Sequence, residues 1–108
     1  MSRGDFLGEF EQIVLLAVAR LDATAYGMEI RREIETRSGR AVTIGAVYAT
    51  LDRLERKGLV QSRDDRSGGR ARRFFTMTPS AADALEASRA IHARMWHGLR
   101  LRREGRRS

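Results

Sequence analysis

Arginine side chains are the groups in this chain that are best suited to chemistry with a partner. The 108 residues include 21 basic and 14 acidic side chains, for a net charge of +7, and 20 of the basic residues are arginine. Residues 41–78 and 79–108 each carry a net charge of +4, whereas residues 1–40 carry −1. Guanidinium groups bind phosphate oxygens through charge-assisted hydrogen bonds. The composition therefore makes a polyanion the first partner to test.

One predicted helix, residues 44–57, carries the first candidate set for contact with DNA. Ile44, Val47, Tyr48, Leu51 and Leu54 fall on one side of this helix at about 100° per residue. The opposite side begins with small residues and ends with basic ones, a pattern that suits insertion into a groove. We assign to this recognition-helix set Thr43, Ala46, Tyr48, Ala49, Thr50 and Arg53.

Three members of the recognition-helix set have an alternative, structural interpretation. Thr43 is placed to cap the helix, and its hydroxyl cannot cap and contact DNA at once. Arg53 could pair with an acidic residue on the domain surface. Tyr48 lies at the edge of the buried arc, where core packing with the hydroxyl at the rim is favoured over base reading.

A second basic group lies in a predicted hairpin made of strands 59–63 and 72–77. The loop between the strands, DDRSGGRA, contains a Gly-Gly pair that permits positive φ angles. We predict that the arginines after this pair form a phosphate clamp. They are Arg70, Arg72 and Arg73, and the loop residues Asp64 and Asp65 are expected to pair with one or two of them.

The sequence contains no motif for catalysis or for a metal. It has no cysteine, and no HExxH, Walker A or GxSxG pattern. His92 and His97 are five residues apart on one predicted helix and cannot chelate one metal ion within a chain. We therefore predict that the protein is not an enzyme and uses no cofactor.

We expect the last predicted helix, residues 79–99, to pack against a second copy of the chain. It is about 30 Å long, and the remaining residues are too few to cover its apolar stripe. We place in the dimer interface Phe10, Leu85, Ile91, Met95 and Leu99. If two copies meet at a two-fold axis, Phe10, His92, Met95 and Trp96 could line a pocket for a flat aromatic effector, and the alternative is a Trp96 that serves as a packing anchor without a ligand.

The predicted order of elements is that of a winged helix-turn-helix, with helices at 7–21, 25–38 and 44–57 followed by the hairpin. At this point the sequence resembles the PadR family of bacterial transcriptional regulators. The resemblance rests on LGEFEQIVLLAVARL, AYGMEIRREIE, TIGAVYATLDRLERKGLV and GGRARRFFTMTP, and one departure is Ala81, where the family often has glycine. It implies a dimer built from the first and last helices, repressor activity, and in several members a response to small aromatic compounds.

We expect a mainly α fold with a small β-hairpin. The expected parts are a winged helix-turn-helix DNA-binding domain (1–78), one long C-terminal dimerisation helix (79–101) and a basic, disordered tail (102–108). The predicted function is a cytoplasmic repressor that binds a pseudo-palindromic operator as a homodimer, with no membrane partner. Two alternatives stay open: a winged-helix module for protein interaction, and a ligand-binding protein that uses a Trp96-lined dimer pocket.

Overall fold

The structure, a computed structural model, describes residues 7–103. Its order of elements confirms the predicted fold class of three helices, a hairpin and a C-terminal helix. Short 3₁₀ turns lie between the first two helices and at the tip of the hairpin. The elements are α1 (Glu9–Leu21), α2 (Gly27–Ser38), α3 (Ile44–Arg56), β1 (Val60–Asp65), β2 (Arg72–Met77) and α4 (Pro79–Trp96).

Local sequence chemistry sets most helix ends. The Thr43 hydroxyl accepts a hydrogen bond from the Ala46 N–H at 3.0 Å and caps α3. The Thr78 hydroxyl caps α4 in the same way, with proline at the first helical position. Gly39, with φ of 76°, ends α2 in the left-handed region. Of these caps, the one at Thr43 was named in the sequence analysis.

The core lies between the three N-terminal helices and one face of the hairpin. Phe75, on β2, is the largest fully buried side chain among the described residues and lies in this core. It is surrounded by buried aliphatic residues of the helices, which include Val14, Leu15, Val18, Ile30, Val47, Leu51 and Leu54. Among the described residues, only Glu11 and Thr50 are buried polar side chains.

The hairpin is longer at its tip than predicted. β1 and β2 pair antiparallel from Val60 opposite Met77 to Asp65 opposite Arg72. The extension places Asp64 opposite Arg73 and Asp65 opposite Arg72 in the register. The prediction that these aspartates pair with the arginines of the clamp is wrong within the described residues, because Asp65 pairs with Arg63, and Arg73 pairs with Asp52 and Glu55 of α3. At the tip, the Asp65 carboxylate accepts hydrogen bonds from the Ser67 hydroxyl and N–H at 2.7 and 2.9 Å, which lower the pKa of Asp65.

The second helix starts two residues later than predicted because Tyr26 belongs to a short β-bridge. Tyr26 pairs with Phe74, and the Phe75 N–H donates to the Ala25 carbonyl at 2.9 Å. Tyr26 is therefore extended and lies just before the second helix, although the predicted helix 25–38 included it. This bridge attaches the hairpin to the N-terminus of α2.

α4 packs on the domain through its first half and projects from it through the second. Ala81 is buried, and Leu85 packs against the core, whereas residues 89–103 are all exposed. The radius of gyration of 16.6 Å exceeds the value of about 13 Å expected for a compact domain of 100 residues. The prediction that this helix reaches Leu99 is wrong, because Gly98 adopts a φ of 74° and the helix ends at Trp96.

None of the helices in the described range has the length and apolar character needed to cross a membrane. Of the predicted basic tail, Arg102 and Arg103 are exposed, and residues 104–108 lie outside the described part of the chain.

Candidate nucleic-acid interface

The exposed side of α3 is rotated relative to the sequence prediction. The buried stripe runs through Val47, Thr50, Leu51 and Leu54 at i, i+3, i+4 and i+7 spacing. Thr50 is 2% exposed, so its assignment to the groove-facing side is wrong. The exposed side instead comprises Gly45, Ala46, Tyr48, Ala49, Asp52, Arg53 and Arg56.

Tyr48 lies on the exposed side and packs against α2. The side chain is 37% exposed, so the prediction that it packs into the core is wrong. Its phenol ring lies directly on Gly27, at a position where any added Cβ would overlap the ring and its hydroxyl. Only glycine at this position permits the ring to lie so close to the start of α2. The ring therefore stays at the surface and faces the hairpin side of the domain.

Arg53 and Lys57, at the C-terminal end of α3, are both paired with Glu11 of α1. Lys57 Nζ lies 2.9 and 3.1 Å from the two carboxylate oxygens, and Arg53 Nε lies 3.4 Å from one of them. Burial raises the pKa of Glu11, but the hydrogen bonds from Lys57, the Gly8 N–H and Arg53 outweigh it and lower the pKa below its ordinary value. The surface-pairing alternative for Arg53 is therefore present in the structure.

Arg73 is also held inside the domain. Its guanidinium lies 2.6 Å from the Glu55 carboxylate and 3.7 Å from Asp52, both on α3, and stacks over the Phe75 ring. Glu55 in addition accepts a hydrogen bond from the Ser62 hydroxyl at 2.8 Å. Arg73 thus ties the hairpin to α3, which sets it apart from the other two arginines predicted for the clamp.

A cleft of about 450 Å³ lies between α2, α3 and the hairpin loop. Arg72 stacks over the Tyr26 ring at 4.6 Å inside this cleft, in cation–π geometry. The lining is rich in basic and aromatic groups, and it joins the predicted recognition helix to the predicted wing. It consists of Tyr26, Met28, Tyr48, Asp64, Arg66, Arg70, Ala71, Arg72 and Arg73.

Four exposed arginines around the cleft and α3 make no ion pair with any residue that the structure describes. They are Arg56, Arg66, Arg70 and Arg72, of which Arg70 and Arg72 were assigned to a site from the sequence. Arg56 lies near the middle of the exposed side of α3. Arg56 follows Ala49 by seven residues and Gly45 by eleven, and these helical spacings would have placed it on the same side of α3 from the sequence alone.

The residues predicted for the dimer interface and effector pocket fall into two groups. Phe10 and Leu85 are partly buried against the core of their own domain, and their assignment to the dimer interface stays a prediction. Met95 and Trp96 are 73% and 55% exposed, and Ile91, His92 and Leu99 are exposed as well. Within the described residues no group of three or more metal-ligating side chains comes together.

A family model described as the transcriptional regulator PadR-like family matches residues 15–87. Transcriptional regulator Rv3488 of Mycobacterium tuberculosis is 38% identical over 68 residues, which are 63% of this chain and 63% of that protein. The match therefore spans less than two thirds of the length of this curated relative. The matched family consists of transcriptional regulators, which confirms the prediction that the chain is not an enzyme.

Solved structures share the fold. A PadR family transcription regulator from Clostridium difficile R20291 has 30% identity and a TM-score of 0.63, with 77% of this chain and 88% of that chain covered. RosR of H. salinarum has 26% identity and a TM-score of 0.67, with coverage of 87% and 81%. A transcriptional regulator from Clostridium thermocellum has 19% identity and a TM-score of 0.69, with 80% of this chain and 84% of that chain covered. At this identity the similarity shows the fold alone.

Proposed function

The chain belongs to the transcriptional regulator PadR-like family, and from that premise we propose that it is a sequence-specific DNA-binding repressor. The observation that carries this proposal is the cleft shared by α3 and the hairpin, with its four arginines and two tyrosines. In a winged helix-turn-helix, the third helix enters the major groove and the wing contacts the adjacent backbone. In this proposal the exposed side of α3 takes the first role and the loop around Arg70 takes the second.

The exposed side of α3 supplies the contacts that read sequence. Ala46 and Ala49 are small and exposed, which lets the helix approach base edges closely. Arg53 and Arg56 are exposed on the same side, and an arginine can donate two hydrogen bonds to a guanine edge. The Thr43 hydroxyl accepts the capping hydrogen bond from the Ala46 N–H, and its own O–H is left to donate to a phosphate oxygen, so we place base reading on the arginines.

The hairpin loop supplies contacts that position the protein on the backbone. Arg66 and Arg70 are exposed and make no ion pair within the described residues, so their guanidinium groups are available for phosphate. Arg72 remains exposed while it stacks on Tyr26. Contacts of this kind add affinity for any duplex and carry little sequence information.

We propose that residues 1–78 form the DNA-binding domain and residues 79–101 the dimerisation helix of a homodimer in the cytoplasm. The support is the exposed apolar surface of α4, where Met95 and Trp96 lack cover from the described chain, together with Leu16 on α1. Monomers rarely expose apolar groups this densely. A two-fold dimer would bind a pseudo-palindromic operator with half-sites about 10 bp apart.

A small aromatic effector is the proposed regulator of this dimer. Trp96 is more than half exposed, and two copies of α4 at a two-fold axis would bring two indole rings into one space, together with Met95 and His92. We expect planar aromatic compounds to quench the fluorescence of Trp96, the single tryptophan, and to weaken operator binding. Quenching without any effect on DNA would assign the site to a ligand but not to regulation.

Selection of bound sequences from random DNA tests the function directly. We expect a pseudo-palindromic motif, and affinity that falls linearly with salt on logarithmic axes. Arg70→Ala should weaken binding to all duplexes and reduce the salt slope by about 1, whereas Arg56→Ala should weaken the operator more than random DNA. Arg89→Ala is the matched control, since Arg89 is exposed on α4, away from the cleft. Failure to enrich any sequence would favour the protein-interaction alternative.

A further inference from the structure

Glu11 is the one charged side chain that the structure buries in the described part of the chain. It is 7% exposed, lies in the first turn of α1, and is separated by more than 40 residues from the two basic side chains that contact it. A buried carboxylate is costly unless it is paired and hydrogen-bonded, so this position needs its partners. Glu11 therefore connects α1 to the C-terminal end of α3.

The two partners of Glu11 are held differently. Lys57 contacts both carboxylate oxygens at 2.9 and 3.1 Å, whereas Arg53 contacts one of them through Nε alone at 3.4 Å. Gly8 N–H donates a further hydrogen bond at 3.0 Å. If Arg53 turns toward another partner, Lys57 and Gly8 still satisfy the carboxylate.

Thr50 holds the other edge of the Arg53 side chain. Its hydroxyl accepts a hydrogen bond from Arg53 Nη2 at 3.2 Å, and Thr50 itself is buried. A guanidinium has five N–H donors in a rigid plane, so two fixed contacts set the direction in which the remaining donors point. The Arg53 side chain is nearly half exposed, which leaves those remaining donors at the surface of α3.

We propose that Glu11 is a positioning residue for DNA recognition. Together with Thr50, it orients the Arg53 guanidinium, which donates hydrogen bonds to both side chains. The inference rests on the proposed function, because it assigns to Arg53 a base-edge contact made from the exposed side of α3. Lys57 serves as the fixed counter-charge that keeps Glu11 ionised and in place. A preorganised arginine loses less side-chain entropy when it binds, so orientation contributes to the preference for the correct base.

Glu11→Gln tests this role, with Glu9→Gln as the matched control. Glu9 lies in the same turn of α1, is exposed and pairs with Arg40, so both variants remove one negative charge from the same end of the helix. We expect Glu11→Gln to lower the ratio of operator affinity to random-duplex affinity by about tenfold, and Glu9→Gln to leave it within about twofold. A merely structural role would lower the melting temperature and leave this ratio unchanged.

The double variant Glu11→Gln with Arg53→Ala identifies the route of the effect. If Glu11 acts through Arg53, the double variant loses no more specificity than Arg53→Ala alone. Additive losses, or an unchanged ratio in Glu11→Gln, would overturn the inference while the proposed function stands. A wild-type protein without any sequence preference would overturn both.

A second variant and a DNA-free measurement guard against misfolding of Glu11→Gln. Thr50→Val removes the acceptor for Arg53 Nη2, keeps the side-chain shape and leaves the buried carboxylate paired. It should reduce specificity in the same direction. In the free protein, NMR relaxation of the Arg53 Nε–H should show greater mobility in Glu11→Gln than in wild type or Glu9→Gln, and equal mobility in all three would contradict the orientation role.

Discussion

The environment of Glu11 also predicts how stability depends on pH, and this effect is independent of DNA. Burial raises its pKa, and the hydrogen bonds from Lys57, Gly8 and Arg53 lower it further than burial raises it. A carboxyl group with a lowered pKa stabilises the fold at neutral pH, and this contribution is lost as the pH falls below the ordinary glutamate value of 4.5 and through the lowered pKa.

We therefore expect Glu11→Gln to reduce the free energy of unfolding by about 2 kcal/mol at pH 7, with the difference from wild type narrowing below pH 4.5. Urea unfolding at several pH values measures it. Glu9→Gln should show no comparable difference at any pH, because Glu9 is exposed. A Glu11→Gln deficit that stays constant from neutral to acid pH would show that packing, and not ionisation, is what the residue contributes.

A second prediction concerns Gly27: the effect of Gly27→Ala on stability should depend on whether Tyr48 is present. In wild type, Gly27→Ala forces the Tyr48 ring away from α2, because the new Cβ would overlap it. Since the ring is partly exposed and can rotate, we expect a loss of only about 1 kcal/mol. In a Tyr48→Ala background the clash is absent, and Gly27→Ala should stabilise the fold by about 0.5–1 kcal/mol through helix propensity.

Thermal unfolding of the four proteins in this cycle measures the reversal of sign. Gly45→Ala is a useful comparison, because nothing lies within 4 Å of a Cβ built at Gly45 and the change is again from glycine to alanine in a helix. If Gly27→Ala has the same effect with and without Tyr48, then the ring does not depend on this glycine.

At the scale of elements, the caps and the hairpin were predictable from sequence because they depend on local chemistry. Thr43, Gly39 and the Thr78-Pro79 pair each act within one turn of their own helix, where residue type is enough. The rotation of α3 was not predictable, because a small hydroxyl at position 50 and a tyrosine at position 48 fit either side of an amphipathic helix. The packing partner decides, and here Gly27 of α2 provides the space that keeps Tyr48 outside.

The ion pairs of the candidate site could not be predicted from the sequence, also because they depend on packing between elements. Arg53 and Arg73 look equivalent to Arg56 and Arg70 in the sequence, since all four follow small or polar residues in basic segments. The structure separates them, because Glu11 and Glu55 are brought beside the first two by contacts distant in sequence. Periodicity carries no information about such pairs, so the sequence could predict a basic surface but not which of its charges are neutralised.

Because Arg73 is ion-paired within the domain and Arg70 is not, we expect their alanine variants to have different effects. Arg73→Ala should lower stability by about 1 kcal/mol, because it removes the contacts to Glu55 and Asp52 that hold the hairpin against α3. Arg70→Ala should leave stability unchanged and weaken binding to any duplex. Thermal unfolding and salt-dependent DNA binding of both variants measure the two effects. If Arg73→Ala were as stable as wild type but bound DNA more weakly, Arg73 would contact phosphate as the sequence analysis predicted.

At the scale of the whole molecule, the distribution of exposed apolar surface supports the proposed dimer. The chain extends over 59 Å along its longest axis but only 19 Å along its shortest, and the outer half of α4 adds exposed apolar groups far from the core. Exposed apolar patches of this kind mark interaction sites, and in the proposed homodimer a two-fold partner would cover the identical stripes of both chains. The exposed Leu16 on α1 extends the same requirement to the first helix.

Met95→Glu tests whether this surface makes the dimer on which operator recognition depends. Met95 is the most exposed of the large apolar residues of α4, and a charge there would be buried without a partner in a dimer. Ala90→Glu is the matched control, because residue 90 is exposed on the opposite side of the same helix and receives the same charge.

We expect wild type and Ala90→Glu to sediment as dimers and Met95→Glu as a monomer with an unchanged circular dichroism spectrum. The monomer should bind a single half-site as wild type does but lose about 10²- to 10⁴-fold in affinity for the full operator, because the second half-site is no longer tethered. A Met95→Glu protein that remains dimeric would place the interface elsewhere. A monomer with full operator affinity would mean that one chain reads the whole site, and the exposed stripe of α4 would then need another partner.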